Sequence, residues 1–154
     1  MILIKRHATS STNEEIKTYI KGKEIDQPLC LSSSLQYKGK GQRGNIWLSE
    51  PYKNLTCSFF FNKVGVDVSK QFYLSIYISL KIINTLEKIG LIDVQVKWPN
   101  DILAGNGKKL GGILIENRLS GSMIEHSIIG IGININQQEF KELPMATSVA
   151  IELG

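Results

Sequence analysis

The sequence predicts an α+β fold: a mixed, mostly antiparallel sheet with helices packed on one face, in a single domain over residues 1–154. Three observations carry that expectation. Apolar stretches of strand length outnumber helical ones, of which there are two. Two hairpin signals join neighbouring strands, so strands and helices do not alternate strictly as in a doubly wound parallel sheet. No repeat, low-complexity tract or linker divides the 154 residues, a length at which a globular domain buries roughly 68–70% of its unfolded surface without a disulfide or metal staple.

In chain order, residues 2–4 read as a short first strand. Ser11 and Glu14 form a capping box, followed by Ile16, Tyr19 and Ile20 at helical spacing and by Gly22 as a stop. Residues 29–31 form a buried strand. Residues 36–45 are polar and glycine-rich with no periodicity, and residues 55–61 form the next strand. Ser69 caps the longest helix, which places Phe72, Ile76, Leu80 and Ile83 on one face and stops at Gly90. A strand at 94–98 breaks at Pro99. Segments 101–104 and 109–116 flank the turn Gly105-Asn106-Gly107, and Ser120-Gly121 turns a second hairpin into a strand from about 123 to 135.

Apolar residues at 42% and charged residues at 21% exclude a disordered or collagen-like chain. Eighteen Lys+Arg against 14 Asp+Glu give +4, a mild bias that suits anionic small ligands at least as well as nucleic acid. Cys30 and Cys57 sit in apolar runs without metal-ligand spacing, and read as buried inert thiols in a reduced compartment. No apolar run approaches the ~20 residues of a membrane span, and residues 1–7 are too short for a signal-peptide core. A soluble, cytoplasmic protein is expected, with no membrane partner.

Three glycine-containing runs carry the candidate chemistry. The first, Gly39-Lys40-Gly41-Gln42-Arg43-Gly44, matches a dinucleotide fingerprint in letters only. The reading needs a helix right after the loop and an acidic residue about 20 positions on, but Asn45 to Pro51 follows and position 64 is Val, so the Rossmann reading fails. A kinase loop fails for want of the other kinase motifs. What survives is a loop whose glycines let backbone N–H groups approach an anion and whose Lys40 and Arg43 neutralise it, in preference to a merely solvated loop. The second run joins Lys97-Trp98-Pro99-Asn100-Asp101 to Lys109-Leu110-Gly111-Gly112. Asn100 and Asp101 suit a turn, yet paired glycines weaken a strand unless backbone or ligand comes close. The third, Gly130-Ile131-Gly132-Ile133-Asn134-Ile135-Asn136, fits a tightly packed core strand and a ligand-facing one equally well.

Together with Ser11-Thr12-Asn13, Trp47 and Ala146-Thr147-Ser148, these runs resemble the ordered motif set of the biotin–protein ligases, over about the whole chain. Each motif alone is weak, and the ordered set is specific. The resemblance implies the catalytic fold shared by biotin and lipoyl ligases, which is like that of class II aminoacyl-tRNA synthetases. It implies an ATP-dependent, AMP-forming ligase in which the biotin carboxylate attacks the α-phosphate of ATP. Biotinyl-5'-AMP then passes biotin to a lysine of a biotin carboxyl carrier protein. ATP and biotin are substrates, with Mg²⁺ beside them.

By the same resemblance Ser11, Thr12, Asn13, Gln36, Lys40, Gly41, Gln42, Lys109 and Gly112 line the biotin end. Lys40, Arg43, Trp47, Asn100, Asp101, Lys109 and Asn134 serve the nucleotide. Lys109, Asp101, Lys40 and Arg43 are the catalytic set, and Asp101 is also the candidate for the metal and for the acceptor lysine's proton. His7 and His126 receive no role. The family's loop commonly reads Gly-Arg-Gly-Arg-Arg-Gly-Arg, and here Lys40, Gln42 and Asn45 replace three arginines, which removes planar bidentate donors. The resemblance also implies a helical segment and a small β-domain after Gly154, and no DNA-binding helix-turn-helix before Met1, so residues 1–154 read as an incomplete catalytic domain without DNA binding. A homodimer stays open. The alternatives are a lipoyl or octanoyl–protein ligase or transferase, and a nucleotide-binding remnant without turnover.

Overall fold

The computed structural model describes residues 1–141 and 143–154. Its elements are β1 (Ile2–Arg6), α1 (Thr12–Ile20), β2 (Leu29–Ser33), β3 (Gly39–Lys40), β4 (Ile46–Trp47), β5 (Asn54–Asp67) and α2 (Gln71–Lys88). After them come β6 (Gln95–Lys97), β7 (Asp101–Leu103), β8 (Lys109–Ser120), β9 (Met123–Asn134) and α3 (Val149–Leu153). Seven strands form one sheet in the order β1-β2-β5-β9-β8-β7-β6, and β3 pairs with β4 apart from it. The β1–β2 pair, spanned by α1, is parallel, and the other neighbours in the sheet are antiparallel. The α+β expectation and the mostly antiparallel sheet hold.

The helices, however, cover both faces rather than one. Phe59 and Phe61 pack with Ile113, Ile129 and Ile133 against Leu74, Ile78, Ile82, Ile83 and Leu86 of α2. Phe60 and Ile128 point the other way and, with Leu29 and Leu31, cover Ile16, Tyr19 and Ile20 of α1. The cause lies in the central strands: Phe59-Phe60-Phe61 stands beside Ile128-Ile129, so both faces of β5 and β9 are apolar and both need cover. Burying one such side chain contributes about 1.5–3 kcal/mol.

Helix α2 is rotated from the expected face. Phe72, Ile76 and Leu80 are exposed, with Tyr73 and Tyr77 beside them, and of the expected stripe Ile83 alone packs inward. The helix is apolar on nearly every side, so two stripes share the same spacing. The inward one carries Ser79, 2% exposed, whose small side chain permits close approach to the sheet. Ser69 does not cap this helix. It donates its N–H to Asp67, which caps a short 3₁₀ turn ahead of α2. The helix ends where Gly90 turns to φ +106°.

Both hairpins form as expected, with Gly107 at φ +80° and Gly121 at φ +60°. The break at Pro99 is itself a turn, because Lys97 pairs with Asp101. Strand β5 runs six residues past its expected end, through an irregularity between Asn62 and Val66. Both cysteines are free and buried. Among the described residues no helix is long and apolar enough to cross a membrane.

Candidate functional site

Residues 8–11 lead into α1 beside the carboxyl end of β1, and its first turn faces β5, β8 and β9. Thr12, Asn13 and Ser58 are each 3% exposed or less; Thr12 and Asn13 form the polar floor of a cleft, and Ser58 hydrogen-bonds to both from behind it. Thr12 donates its N–H and its hydroxyl to Gln36 Oε1, at 2.7 and 3.1 Å. The capping box is therefore not made. The Ser11 side chain caps nothing, and the first N–H of α1 is satisfied by a residue 24 positions away. The Ser58 hydroxyl lies 2.6 Å from Thr12 Oγ1 and also reaches Asn13 Oδ1, with one proton for the two acceptors. Asn13 Nδ2 donates to Glu116 Oε2 at 2.7 Å.

The glycines of β9 make room for these side chains. A Cβ on Gly130 would lie 2.5 Å from Asn13 Oδ1, and one on Gly132 would lie 2.5 Å from Cε2 of Trp47. Both readings offered for this strand hold in part, because Gly130, Ile131 and Gly132 also line the first cavity described below. The strand is packed, and what it packs against are two side chains of the cleft. Gly112 is more open, with its nearest neighbours at 3.7 Å or beyond.

Trp47 stands between two adjoining cavities. The first, of about 310 Å³, is lined by Ser11, Thr12, Asn13 and Gln36, by Lys40, Gly41, Gln42 and Arg43, and by Asn100, Asp101, Lys109 and Gly112. The second, of about 260 Å³, shares Ile46, Trp47 and Lys109, contains Asn134 and Gln137, and is otherwise walled by apolar groups such as Phe140 and Met145. Every site residue singled out in the sequence thus reaches one cavity or the other. Trp47 Nε1 is buried with no acceptor among the described residues, a state that costs about 1–3 kcal/mol unless an acceptor is supplied.

Two lysines approach the cleft from opposite sides. Lys109 Nζ lies 2.6 Å from Asp101 Oδ1. Lys40 Nζ lies 2.8 Å from Glu14 Oε1, which also accepts from Lys17 at 2.8 Å. Lys17, followed by Lys40, holds the Glu14 carboxyl below the usual glutamate range. Burial opposes the charge on Lys17, but Glu116 and Glu14 outweigh it and keep its pKa raised. Arg43 lines the first cavity in the left-handed region at φ +53°, a conformation costing a side-chain-bearing residue roughly 1–2 kcal/mol. It makes no ion pair among the described residues.

Asn100 and Asn134 also brace the site. Asn100 Nδ2 donates to the Ile113 carbonyl at 3.1 Å, and Asn134 Nδ2 to that of Thr147 at 2.9 Å. Asp101 is the one carboxylate lining the first cavity, and the described residues hold no group of three or more metal-ligating side chains. That donor set fits Mg²⁺ only as an ion carried largely by phosphate oxygens, with at most Asp101 from the protein. Sequence reasoning missed Ser58, Glu14, Lys17 and Glu116. The one available signal was Ser58 itself, a hydroxyl immediately ahead of three phenylalanines.

Comparison with known proteins places this geometry in a family. The model of the biotin/lipoate A/B protein ligase family matches residues 6–134. The Escherichia coli (strain K12) protein named Bifunctional ligase/repressor BirA is 34% identical over 132 residues, covering 86% of this chain and 40% of that protein. The chain spans about half the length, or less, of the curated relatives it matches. The structure of a biotin protein ligase from Aquifex aeolicus in complex with biotin and ATP superposes with a TM-score of 0.75 at 33% identity, covering 99% of this chain and 62% of that one. A lipoate protein ligase from Thermoplasma acidophilum shares the fold at 14% identity and a TM-score of 0.59, over 93% of this chain and 65% of that one. By the match over residues 6–134, the chain belongs to the biotin/lipoate A/B protein ligase family.

Proposed function

We propose that this chain activates biotin with ATP to biotinyl-5'-AMP and passes biotin to a lysine of a biotin carboxyl carrier protein. The observation that carries this reading is the pair of cavities divided by Trp47, one with a buried amide and hydroxyl floor and the other apolar. A ureido ring presents N–H donors and a carbonyl acceptor. Thr12, Asn13 and Ser58 can rotate or exchange partners to meet them, whereas a dithiolane or alkyl chain would leave them unrewarded. The second cavity suits a flat, largely apolar base, with Trp47 as one wall.

Adenylation brings two anions together. At 4 Å their repulsion is about 4 kcal/mol at an effective dielectric constant of 20. Lys109 and Lys40 flank the junction of the cavities and can offset it, with Arg43 as a third cation at the rim. Little acid–base work is needed in this step. In the transfer step Asp101, on the β6–β7 turn, has a second carboxylate oxygen outside its pair with Lys109 to take the acceptor lysine's proton. Mg²⁺, carried by the nucleotide, would shield the phosphates from one another, with Asp101 as the protein's one candidate ligand.

The alternative acids, lipoate and octanoate, are separated by calorimetric titration of each into the protein. Binding of biotin in preference to both supports the reading. Preference for lipoate or octanoate would move the assignment to the lipoyl branch of the family.

A further inference from the structure

Among the described residues, and apart from the base of the loop at 37–38, the backbone of the hairpin at 39–47 is hydrogen-bonded only to itself. Gly39 pairs with Trp47 and Lys40 with Ile46, and the tip is closed by Gly41 N–H to the Asn45 carbonyl and by Asn45 N–H to the Gln42 carbonyl. Its attachment to the rest of the protein comes from two side chains. Trp47 lies on Gly132. The other is Lys40, whose pair with Glu14 at 2.8 Å is the one polar tie between residues 39–47 and the remaining described residues. Glu14 is itself held in place. Lys17 bridges it to Glu116 at 2.8 and 2.7 Å, and Glu116 accepts from Asn13 in the cleft floor.

We infer that Glu14 is a positioning residue: its pair with Lys40 docks the 39–47 hairpin against α1 and sets Lys40 at the cleft edge before ligand arrives. The inference rests on the ligase reading above for its consequence, though not for its geometry. In the docked, empty state Lys17 and Lys40 are each paired with a carboxylate, Glu14 or Glu116. The Lys40 and Glu14 side chains are 52% and 36% exposed, which makes the tie soft and easily exchanged for a ligand anion.

The test is amide hydrogen exchange of residues 41–46 in the unliganded protein, comparing the parent with Glu14→Gln, Glu14→Asp and Glu15→Gln. Glu15 shares the first turn of α1 but pairs with Arg6, so its variant controls for the loss of a helix-end charge. In Glu14→Gln the loop is expected to exchange roughly two- to fivefold faster, with the sheet unchanged. Glu14→Asp should restore part of the protection and Glu15→Gln should leave it intact. Raised salt should bring the parent toward Glu14→Gln. Lys40→Met reads the same pair from its other end, and the double variant should be no looser than either single one. In steady state Glu14→Gln should raise KM for ATP by a similar factor at constant kcat, since bound ligand closes the loop regardless. Equal loop exchange in parent and Glu14→Gln, or equal loosening in Glu15→Gln, overturns the inference. A protein without biotin-dependent turnover but with the Glu14-specific loosening would sink the ligase reading and leave the positioning role standing.

Discussion

Replacing Gly132 with Ala adds one methyl group, and its effect can be worked from the geometry. The new Cβ would stand 2.5 Å from Cε2, 2.7 Å from Cζ2 and 2.9 Å from Nε1 of Trp47. Carbon contacts settle near 3.5–4.0 Å, so one partner has to retreat by about 1 Å. Strand β9 is bonded on both sides, to β5 and β8, while Trp47 hangs from the two-residue β4. The indole moves and the sheet stays. Overpacking of this kind costs about 1–3 kcal/mol, and each kcal/mol lowers Tm by about 2–4 °C in a chain of this size. The functional cost should be larger, because the ring is the partition between the cavities and a misplacement near 1 Å can cost on the order of a hundredfold in rate. Gly132→Ala is expected to lose about tenfold to a hundredfold in kcat/KM for ATP, and to weaken biotin binding as well, because Trp47 and Gly132 also line the first cavity. In a Trp98→Phe background, which leaves Trp47 as the sole indole, emission should shift to the red. Unchanged emission together with unchanged ATP kinetics would refute the role given to Trp47 and Gly132.

Lys109→Ala removes the cation shared by both cavities. Adenylation should fall by about a hundredfold or more with Tm nearly unchanged, since the pair with Asp101 is partly exposed; comparable exchange rates in mutant and parent would refute its role. Asn13→Ala leaves Glu116 and Ser58 short of a partner in the floor, and should weaken biotin binding by about 1–3 kcal/mol while sparing ATP, as read by calorimetry. Burial holds the His126 imidazole below its ordinary value, with Arg118 adding to the depression and Glu125 opposing it. The folded state then binds fewer protons than the unfolded one just below pH 6.5. Stability is full above about 6.5 and declines as pH falls through the depressed folded value. His126→Phe should flatten the slope of Tm between about pH 7 and 5.5 relative to the parent. The same slope in both proteins would assign the decline elsewhere.

How much was legible in the sequence depended on whether a feature was local. Turns were readable because Gly107 and Gly121 occupy conformations that few other residues tolerate, and strand positions because their apolar runs are short and bounded. The cleft was readable because its residues lie in glycine-containing runs that make little sense as ordinary strands. Features resting on distant partners were not. The cap of α1 comes from Gln36, and nothing in the run Ser11-Thr-Asn-Glu14 distinguishes that from a capping box. The inward stripe of α2 could not be chosen by periodicity, because Phe72, Ile76 and Leu80 match helical spacing as well as Leu74, Ile78 and Ile82 do. Covering both faces followed from Phe59-Phe60-Phe61, a pattern visible in the sequence but outweighed there by the order of elements. Glu116 ties to Asn13 and Lys17 across 103 and 99 positions and Glu14 to Lys40 across 26, and each charge reads alone as an ordinary surface one.

The most direct test of the ligase reading is ATP–pyrophosphate exchange with Mg²⁺, run with biotin, lipoate and octanoate in parallel. It reports formation of the mixed anhydride itself, independently of any acceptor. The arrangement of Lys40, Lys109 and Trp47 around a polar-floored cleft predicts exchange that depends on biotin and is absent, or far slower, with the other two acids. Exchange driven by lipoate or octanoate but not biotin would contradict the substrate. ATP bound with no exchange for any acid would contradict catalysis altogether.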